Sequence, residues 1–139
     1  MTALGIWLRA AVNPAELGVN RAYRAAYRPG VGRVMFFRCS RHRAAQQLVV
    51  TAAMEAMVGR APVAGRVRVE LELLFARLHR TGPARGLAVG DVDGPIKAVL
   101  DALEEAGVMA DDGQVVEVSA RKGWGKPPSL TVTVEELGP

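Results

Sequence analysis

Apolar and charged side chains alternate along residues 66–73, and this pattern predicts the clearest strand of the chain. Every second position is apolar: Val67, Val69, Leu71 and Leu73. Arginine and glutamate fill the positions between them. A period of two puts one set of side chains in the core and the other in water. The segment is therefore predicted to be a strand with one buried face.

Weaker patterns predict the other strands. Residues 3–11 alternate loosely and include Ile6, Trp7 and Leu8, which predicts an opening strand that ends at Asn13-Pro14. An apolar run within residues 33–39 predicts a short buried strand. Residues 115–120 and 130–135 predict two consecutive strands, and residues 121–128 between them are either a hairpin tip or a flexible loop.

Two segments carry the signals of helices. The first is predicted to begin with Ser40 as its N-cap and to run to about Val58, where Gly59 stops it. The second is predicted to begin at Gly94-Pro95, since proline is tolerated in a first turn, and to end at Gly107. The apolar sides are predicted to be Leu48, Val49, Ala52, Met54, Ala56 and Met57 in the first helix, and Ile96, Val99, Leu100 and Leu103 in the second.

These elements predict a single α+β domain that covers residues 1–139. A chain of this length fits one domain. The order of strands and helices favours a mixed or antiparallel sheet of about four to five strands, with the two main helices packed on one face.

Composition excludes several classes of protein. Half of the residues are hydrophobic, yet no apolar run reaches the roughly 18 to 20 residues that span a bilayer, and the N-terminus does not resemble a secretion signal. Cys39 is the only cysteine, so it can form neither an internal disulfide nor a zinc site made of cysteines. We expect a soluble, cytoplasmic protein in a reducing compartment, without a membrane partner.

The positive charge is concentrated early in the chain. The formal net charge is +4, and no Asp or Glu occurs between Leu17 and Met54, where seven arginines fall. A basic surface suits nucleic acid, anionic lipid or an acidic protein, and arginine suits bidentate phosphate contacts. Residues 17–32, a predicted loop or short helix, interleave Tyr with Arg. This segment could stack bases and bind phosphates, or it could be a solvated arm.

Two smaller basic segments leave similar alternatives open. Arg41 and Arg43 lie in the first turn of the first helix, where exposed amides favour an anion, although a solvated basic turn is the simpler interpretation. Residues 121–126 join cations to Trp124, which could contact nucleic acid or cover an edge of the core. His79 could act as a general base or a ligand, but a lone histidine in a basic loop is more often a surface residue.

Acidic side chains are concentrated between Asp91 and Asp112. This stretch holds seven of the 14 acidic residues and one of the 18 basic residues, Lys97, so the rest of the chain carries 17 basic against 7 acidic side chains, a net of +10. In extended backbone Asp91 and Asp93 project to the same side. Lys97 is four residues after Asp93 and four before Asp101, so the three side chains are expected to lie along one side of the second helix. Lys97 either forms ordinary ion pairs on the surface of the helix or stabilises the negative charge of a phosphate.

Asp111 and Asp112 follow the second helix in a turn. Such a pair is usually turn chemistry alone. A short return of the chain would, however, bring Asp112 near Asp91 and Asp93. Carboxylates that crowd together repel each other unless a cation lies between them, and oxygen ligands point to Mg²⁺ or Mn²⁺. The acidic stretch therefore predicts a metal site that meets phosphate.

The same residues resemble the core of the RusA family of Holliday-junction resolvases. The resemblance rests on the following residues at the spacings they have here: Asp91, Asp93, Lys97, Asp101-Ala102-Leu103, Gly107, Asp111-Asp112 and Gln114-Val115-Val116. It implies a homodimeric, Mg²⁺-dependent endodeoxyribonuclease, with Mn²⁺ as a substitute and no small-molecule cofactor, that nicks four-way DNA junctions symmetrically. Such enzymes are often encoded by phages or prophages, which implies the cytoplasm of a bacterial or phage-infected cell.

The resemblance also assigns roles to residues. It implies that Asp91, Asp93 and Asp112 are catalytic metal ligands, that Lys97 is the catalytic lysine, and that Asp111 is an additional acidic ligand. The predicted contacts with the arms of the junction are Arg21, Arg24, Arg28, Arg33, Arg41, Arg43, Lys122 and Lys126.

One position departs from the pattern of the family. Gly94 stands where the family commonly has an asparagine, so an amide that could orient a ligand or a water is missing. Two alternatives to a resolvase therefore remain open: a weak or inactive relative that binds branched DNA, and a related nuclease that acts on flaps, forks or RNA.

Overall fold

A four-stranded mixed sheet forms the centre of the structure. The structure is a computed structural model that describes residues 5–18, 23–28 and 33–138. The side chains of 23–28 and 33–38 are outside the described part. The strands are β1 (Gly5–Ala10), β2 (Tyr23–Arg28), β3 (Arg33–Arg38), β4 (Arg66–Phe75), β5 (Val115–Trp124) and β6 (Ser129–Gly138). The helices are α1 (Ser40–Ala56) and α2 (Ile96–Glu105), with short 3-10 helices at Pro14–Leu17 and Asp112–Gln114.

The sheet has the order β1-β6-β4-β5. β4 and β5 are parallel neighbours, whereas β6 is antiparallel to both β1 and β4. A parallel pair needs a crossover connection, and α2 supplies it. The mixed sheet and the two helices confirm the predicted α+β class. The clearest predicted strand is confirmed as β4, and the opening strand as β1.

Of the two alternatives for residues 121–128, the hairpin tip is wrong. β5 runs to Trp124 and pairs with one side of β4, while β6 pairs with the other side. The connection crosses the end of β4, where the Gly125 amide donates to the Phe75 carbonyl at 3.1 Å. Backbone pairing with the buried central strand replaces the local pairing that sequence proximity favoured.

The core lies between one face of the sheet and the two helices. Alternate residues of β4 from Val67 to Phe75 are buried, while the residues between them are partly or fully exposed. The same buried cluster contains these residues of the neighbouring elements: Ile6, Leu8, Leu130, Val132, Val134, Val49, Ala53, Val99 and Leu103. Both helices therefore cover the same face, as predicted. None of the helices in the described part of the chain is long and apolar enough to cross a membrane.

β2 and β3 form a separate antiparallel pair, from Tyr23 opposite Arg38 to Arg28 opposite Arg33. The prediction of a loop or short helix is therefore wrong for residues 23–28, and the strand predicted within 33–39 is confirmed. Pairing between the two segments satisfies the backbone of a sequence whose local preference is ambiguous.

Helix α1 begins and ends slightly earlier than predicted. Cys39 occupies the N-cap position and Ser40 is the first helical residue. The C-cap is Met57, and Gly59 follows with a positive φ of 75°.

The predicted apolar side of α1 is partly wrong, since Leu48 is 50% exposed and Met54 is 57% exposed. The buried residues follow helical spacing along a face that shares Val49 with the predicted one: His42, Ala45, Gln46, Val49, Val50 and Ala53. Gln46 can be buried there because its amide donates to the Ala98 carbonyl of α2 at 3.1 Å.

Candidate active site

Asp91 and Asp93 lie where the chain returns from the loop after β4 towards α2. Gly90, directly before them, has a φ of 154°, and a Cβ built on it would lie 2.1 Å from the ring of Phe75. Phe75 is buried at the end of β4. Only glycine permits this close approach, and the approach sets the position of Asp91 relative to the sheet.

A concavity of about 440 Å³ contains both aspartates. Its lining includes Asn13 and Glu16 from the first connection, and Arg77 from the loop after β4. The side chain of Asn13 accepts a hydrogen bond from the Ala15 amide at 3.2 Å and so caps the 3-10 helix that carries Glu16. Asp91 and Asp93 are both exposed. The sequence patterns gave no sign that residues 13–16 would line the same concavity as the two aspartates.

Lys97 joins α2 to the turn that follows it. Its Nζ lies 2.9 Å from Asp101 Oδ1 and 3.3 Å from Asp112 Oδ2. The hydrogen bonds to Asp101 and then to Asp112 raise the pKa of Lys97 above its ordinary value. The predicted pairing of Lys97 with Asp101 is thus present, whereas Asp93, expected on the same side of the helix, precedes α2. The ammonium is held charged between the carboxylates of Asp101 and Asp112.

Asp112 also belongs to a group of carboxylates that could hold a metal ion. Oxygen atoms of Asp101, Glu104 and Asp112 lie within 4.8 Å of one another. Asp101 and Glu104 are three residues apart, which places them on the same side of α2. Carboxylate oxygens are the ligands that Mg²⁺ and Mn²⁺ accept, so this donor set fits such an ion. The spacing along α2 was the signal that could have identified Glu104 from the sequence.

The two groups of acidic residues are not merged into a single ligand set. Asp91 and Asp93 share the concavity with Glu16, whereas Asp112 is grouped with Asp101 and Glu104. Among the residues that the structure describes, Asp91 and Asp93 belong to no comparable group of three ligand atoms. The convergence of Asp91, Asp93 and Asp112 on one ion stays a prediction.

The turn that carries Asp112 is held by a capping box. Asp111 Oδ1 accepts from the Gly113 amide at 2.8 Å, and Gln114 Oε1 accepts from the amides of Ala110 and Asp111. Asp111 therefore caps the 3-10 helix Asp112–Gln114. Its predicted role as a metal ligand stays a prediction.

The predicted DNA contacts have different surroundings. Arg21, and the side chains of Arg24, Arg28 and Arg33, lie outside the described residues. Arg41 and Lys126 are exposed. Arg43 forms an ion pair with Glu105 at 3.1 Å, and Lys122 donates to two backbone carbonyls near Asp91. For these two residues, internal contacts compete with the predicted phosphate contacts.

Trp124 lies at the end of β5, and His79 lies in the loop between β4 and Asp91. Trp124 is 49% exposed, and its indole N–H donates to the Ala76 carbonyl at 3.2 Å. His79 is half-buried, and its backbone bonds to Leu87 and Gly86 across the loop. Both residues help define the connection that leads to Asp91.

A family model described as Endodeoxyribonuclease RusA matches residues 19–135, which is most of the chain. The chain belongs to the RusA endodeoxyribonuclease family. A comparison with curated proteins found no match. The RusA match contains the whole stretch from Asp91 to Asp112, whereas Asn13 and Glu16 precede it.

Proposed function

We propose that this chain is a Mg²⁺-dependent endodeoxyribonuclease that resolves four-way DNA junctions, with Mn²⁺ as a substitute. The observation that carries the proposal is Lys97, held between Asp101 and Asp112 beside a group of carboxylates suited to a metal ion, in a chain that belongs to the RusA family. A cation next to hard oxygen ligands suits phosphodiester hydrolysis.

Each residue of the site has a role in this proposal. Asp91, Asp93, Asp112 and Asp111 would hold the metal, and Asp112 also belongs to the group that it forms with Asp101 and Glu104. When bound, the ion activates water and neutralises charge on the phosphodiester. Lys97 contacts Asp112 at 3.3 Å, so its ammonium lies beside a carboxylate that would hold the ion. In this position Lys97 would stabilise the negative charge that develops on the phosphate.

The substrate implies a homodimer. A four-way junction has two-fold symmetry, and paired symmetric incisions require two equivalent active sites. Exposed cations such as Arg41 and Lys126 are suited to the phosphate backbone of its arms. Sedimentation of the protein alone and with a junction tests this part, and a monomer in both states would contradict it.

The activity is tested with a synthetic four-way junction and Mg²⁺. We expect symmetric nicks from the wild-type protein and a large loss with Asp93→Asn, which keeps the shape of the side chain but removes its charge. Glu55→Gln, on the exposed surface of α1, is the matched control and should cleave normally. Absence of symmetric nicking by the wild type, or equal activity of Asp93→Asn, would contradict the proposal.

A second candidate is a RusA relative that binds branched DNA without cleaving it. Gly94 favours it, because no side-chain amide is available there to orient a ligand. A Cβ on Gly94 would meet its nearest neighbour, the Gly18 Cα, at 3.6 Å, which is ordinary contact distance. Gly94→Asn is therefore expected to fold. Tight junction binding without cleavage in Mg²⁺ or Mn²⁺, together with a gain of cleavage in Gly94→Asn, would favour this candidate.

A further inference from the structure

We propose that Lys122 is a positioning residue that clamps the segment leading into Asp91 and Asp93 onto strand β5. Its contribution to catalysis rests on the proposed function, whereas the clamp itself rests on contacts between described residues. The ammonium donates to the Ala88 carbonyl at 3.0 Å and to the Gly90 carbonyl at 2.8 Å. The Gly90 carbonyl belongs to the peptide bond that joins this residue to Asp91.

The sheet places Lys122 where it can reach this segment. In the parallel pair it stands opposite Leu73, two residues before the end of β4 at Phe75. The loop after β4 passes back over that end, where Gly90 lies against the Phe75 ring. Lys122, which lies on β5, therefore holds the end of this loop against the strand next to β4.

The backbone of the loop needs such a donor. Its own bonds join the amide of His79 to Leu87, and the amide of Val89 to Arg77. The carbonyls of Ala88 and Gly90 take no part in these two bonds and accept from Lys122 instead. A charged donor makes stronger hydrogen bonds than a neutral one, so the two contacts limit the movement of the segment that presents Asp91.

This role differs from the DNA contact that the sequence suggested. An ammonium has three N–H donors, and two of them are engaged inside the protein. A positioning role predicts slower cleavage at saturating DNA with unchanged junction affinity. A phosphate contact predicts the reverse, namely weaker binding and a smaller dependence of binding on salt.

The experiment compares Lys122→Met with Arg60→Met in the full chain. Arg60 is a suitable control because it also donates to a backbone carbonyl, that of Gly5 at 2.9 Å, in another part of the fold. Amide hydrogen exchange over residues 86–93 is measured without metal or DNA. We expect exchange there to accelerate by roughly fivefold or more in Lys122→Met, because two charge-assisted hydrogen bonds are lost. The Arg60→Met protein should show wild-type exchange in this segment.

Cleavage and binding are then measured separately. For Lys122→Met we expect kcat to fall by about tenfold while the junction Kd, measured without divalent metal, stays within about twofold of the wild type. A Kd that weakens while kcat is unchanged would overturn the positioning role. Unchanged exchange over 86–93, or acceleration spread over the whole chain, would overturn the clamp. Because exchange needs no activity, it decides the clamp even if the wild type fails to cleave junctions and the proposed function is rejected.

Discussion

Gln114 is expected to be the main support of the turn that carries Asp112. Its Oε1 accepts from the amides of Ala110 and Asp111 at 3.0 and 3.2 Å. Its Nε2 donates to the carbonyls of Val63 and Gly65 at 3.0 and 2.9 Å. The side chain thereby uses both ends of its amide to tie the turn to the segment before β4.

Gln114→Leu removes all four hydrogen bonds and keeps a side chain of similar size. Each bond contributes about 0.5 to 1.5 kcal/mol to stability, and water can replace part of this at a half-buried position. The expected loss is about 2 to 3 kcal/mol. In a domain of this size, such a loss lowers Tm by about 8 °C.

Thermal and denaturant unfolding of the two proteins measure this loss. Gln47→Leu is the matched control, since the Gln47 amide donates to Glu105 on the surface, at 3.3 Å. When the side-chain amide of Gln47 is rotated by half a turn, its oxygen accepts a hydrogen bond from Arg43 instead. The contact with Glu105 and the contact with Arg43 both lie at the surface. The control should change stability by less than about 0.5 kcal/mol. A Tm for Gln114→Leu within about 2 °C of the wild type, or no lower than that of the control, would refute the reasoning.

Three further predictions concern the same site. The raised pKa of Lys97 means that its ion pairs stabilise the fold below pH 10.5 and are lost as the pH rises through the raised value. The difference in Tm between the wild type and Lys97→Met should therefore be small, because the Lys97 side chain is 62% exposed. This difference should be constant from about pH 7 to 10 and should shrink above pH 10.5. A difference that grows above pH 10.5 would contradict the prediction. Gly90→Ala forces a Cβ against Phe75 at a positive φ and should cost about 2 to 4 kcal/mol in denaturant unfolding; a wild-type midpoint would contradict the contact. Asp112→Asn should weaken Mn²⁺ binding, measured by titration calorimetry, by about tenfold or more, whereas Glu55→Gln should not; equal affinities would remove Asp112 from the ligand set.

The sequence predicted the elements whose side-chain pattern is set by their own burial. β4 alternates because one of its faces is covered by the helices, and Val99 and Leu103 of α2 are buried as their spacing indicates. The sequence failed where a distant partner decides the outcome. Gln46 is buried because it finds the carbonyl of Ala98, a contact that a ranking by hydrophobicity does not contain.

Sheet neighbours were harder to predict for the same reason. β5 and β6 are close in sequence, and Pro and Gly in the connection are compatible with a tight turn. Both strands nevertheless pair with β4, because α2 delivers β5 to one side of it and the last strand fills the other side. The pairing of β5 and β6 depends on which strand edges are free once α2 has packed, and residues throughout the chain determine this.

The candidate site shows the same division between local and distant contacts. The pairing of Lys97 with Asp101 follows from four-residue spacing on a helix and could be predicted. The anchors of the two aspartate-bearing segments could not, because Lys122 and Gln114 bind backbone carbonyls, which every residue carries and no sequence pattern marks. The acidic motif therefore identifies the chemistry, while the positions of its carboxylates depend on side chains outside the aspartates themselves. Variants of these two anchors are consequently expected to alter the site without removing any proposed ligand.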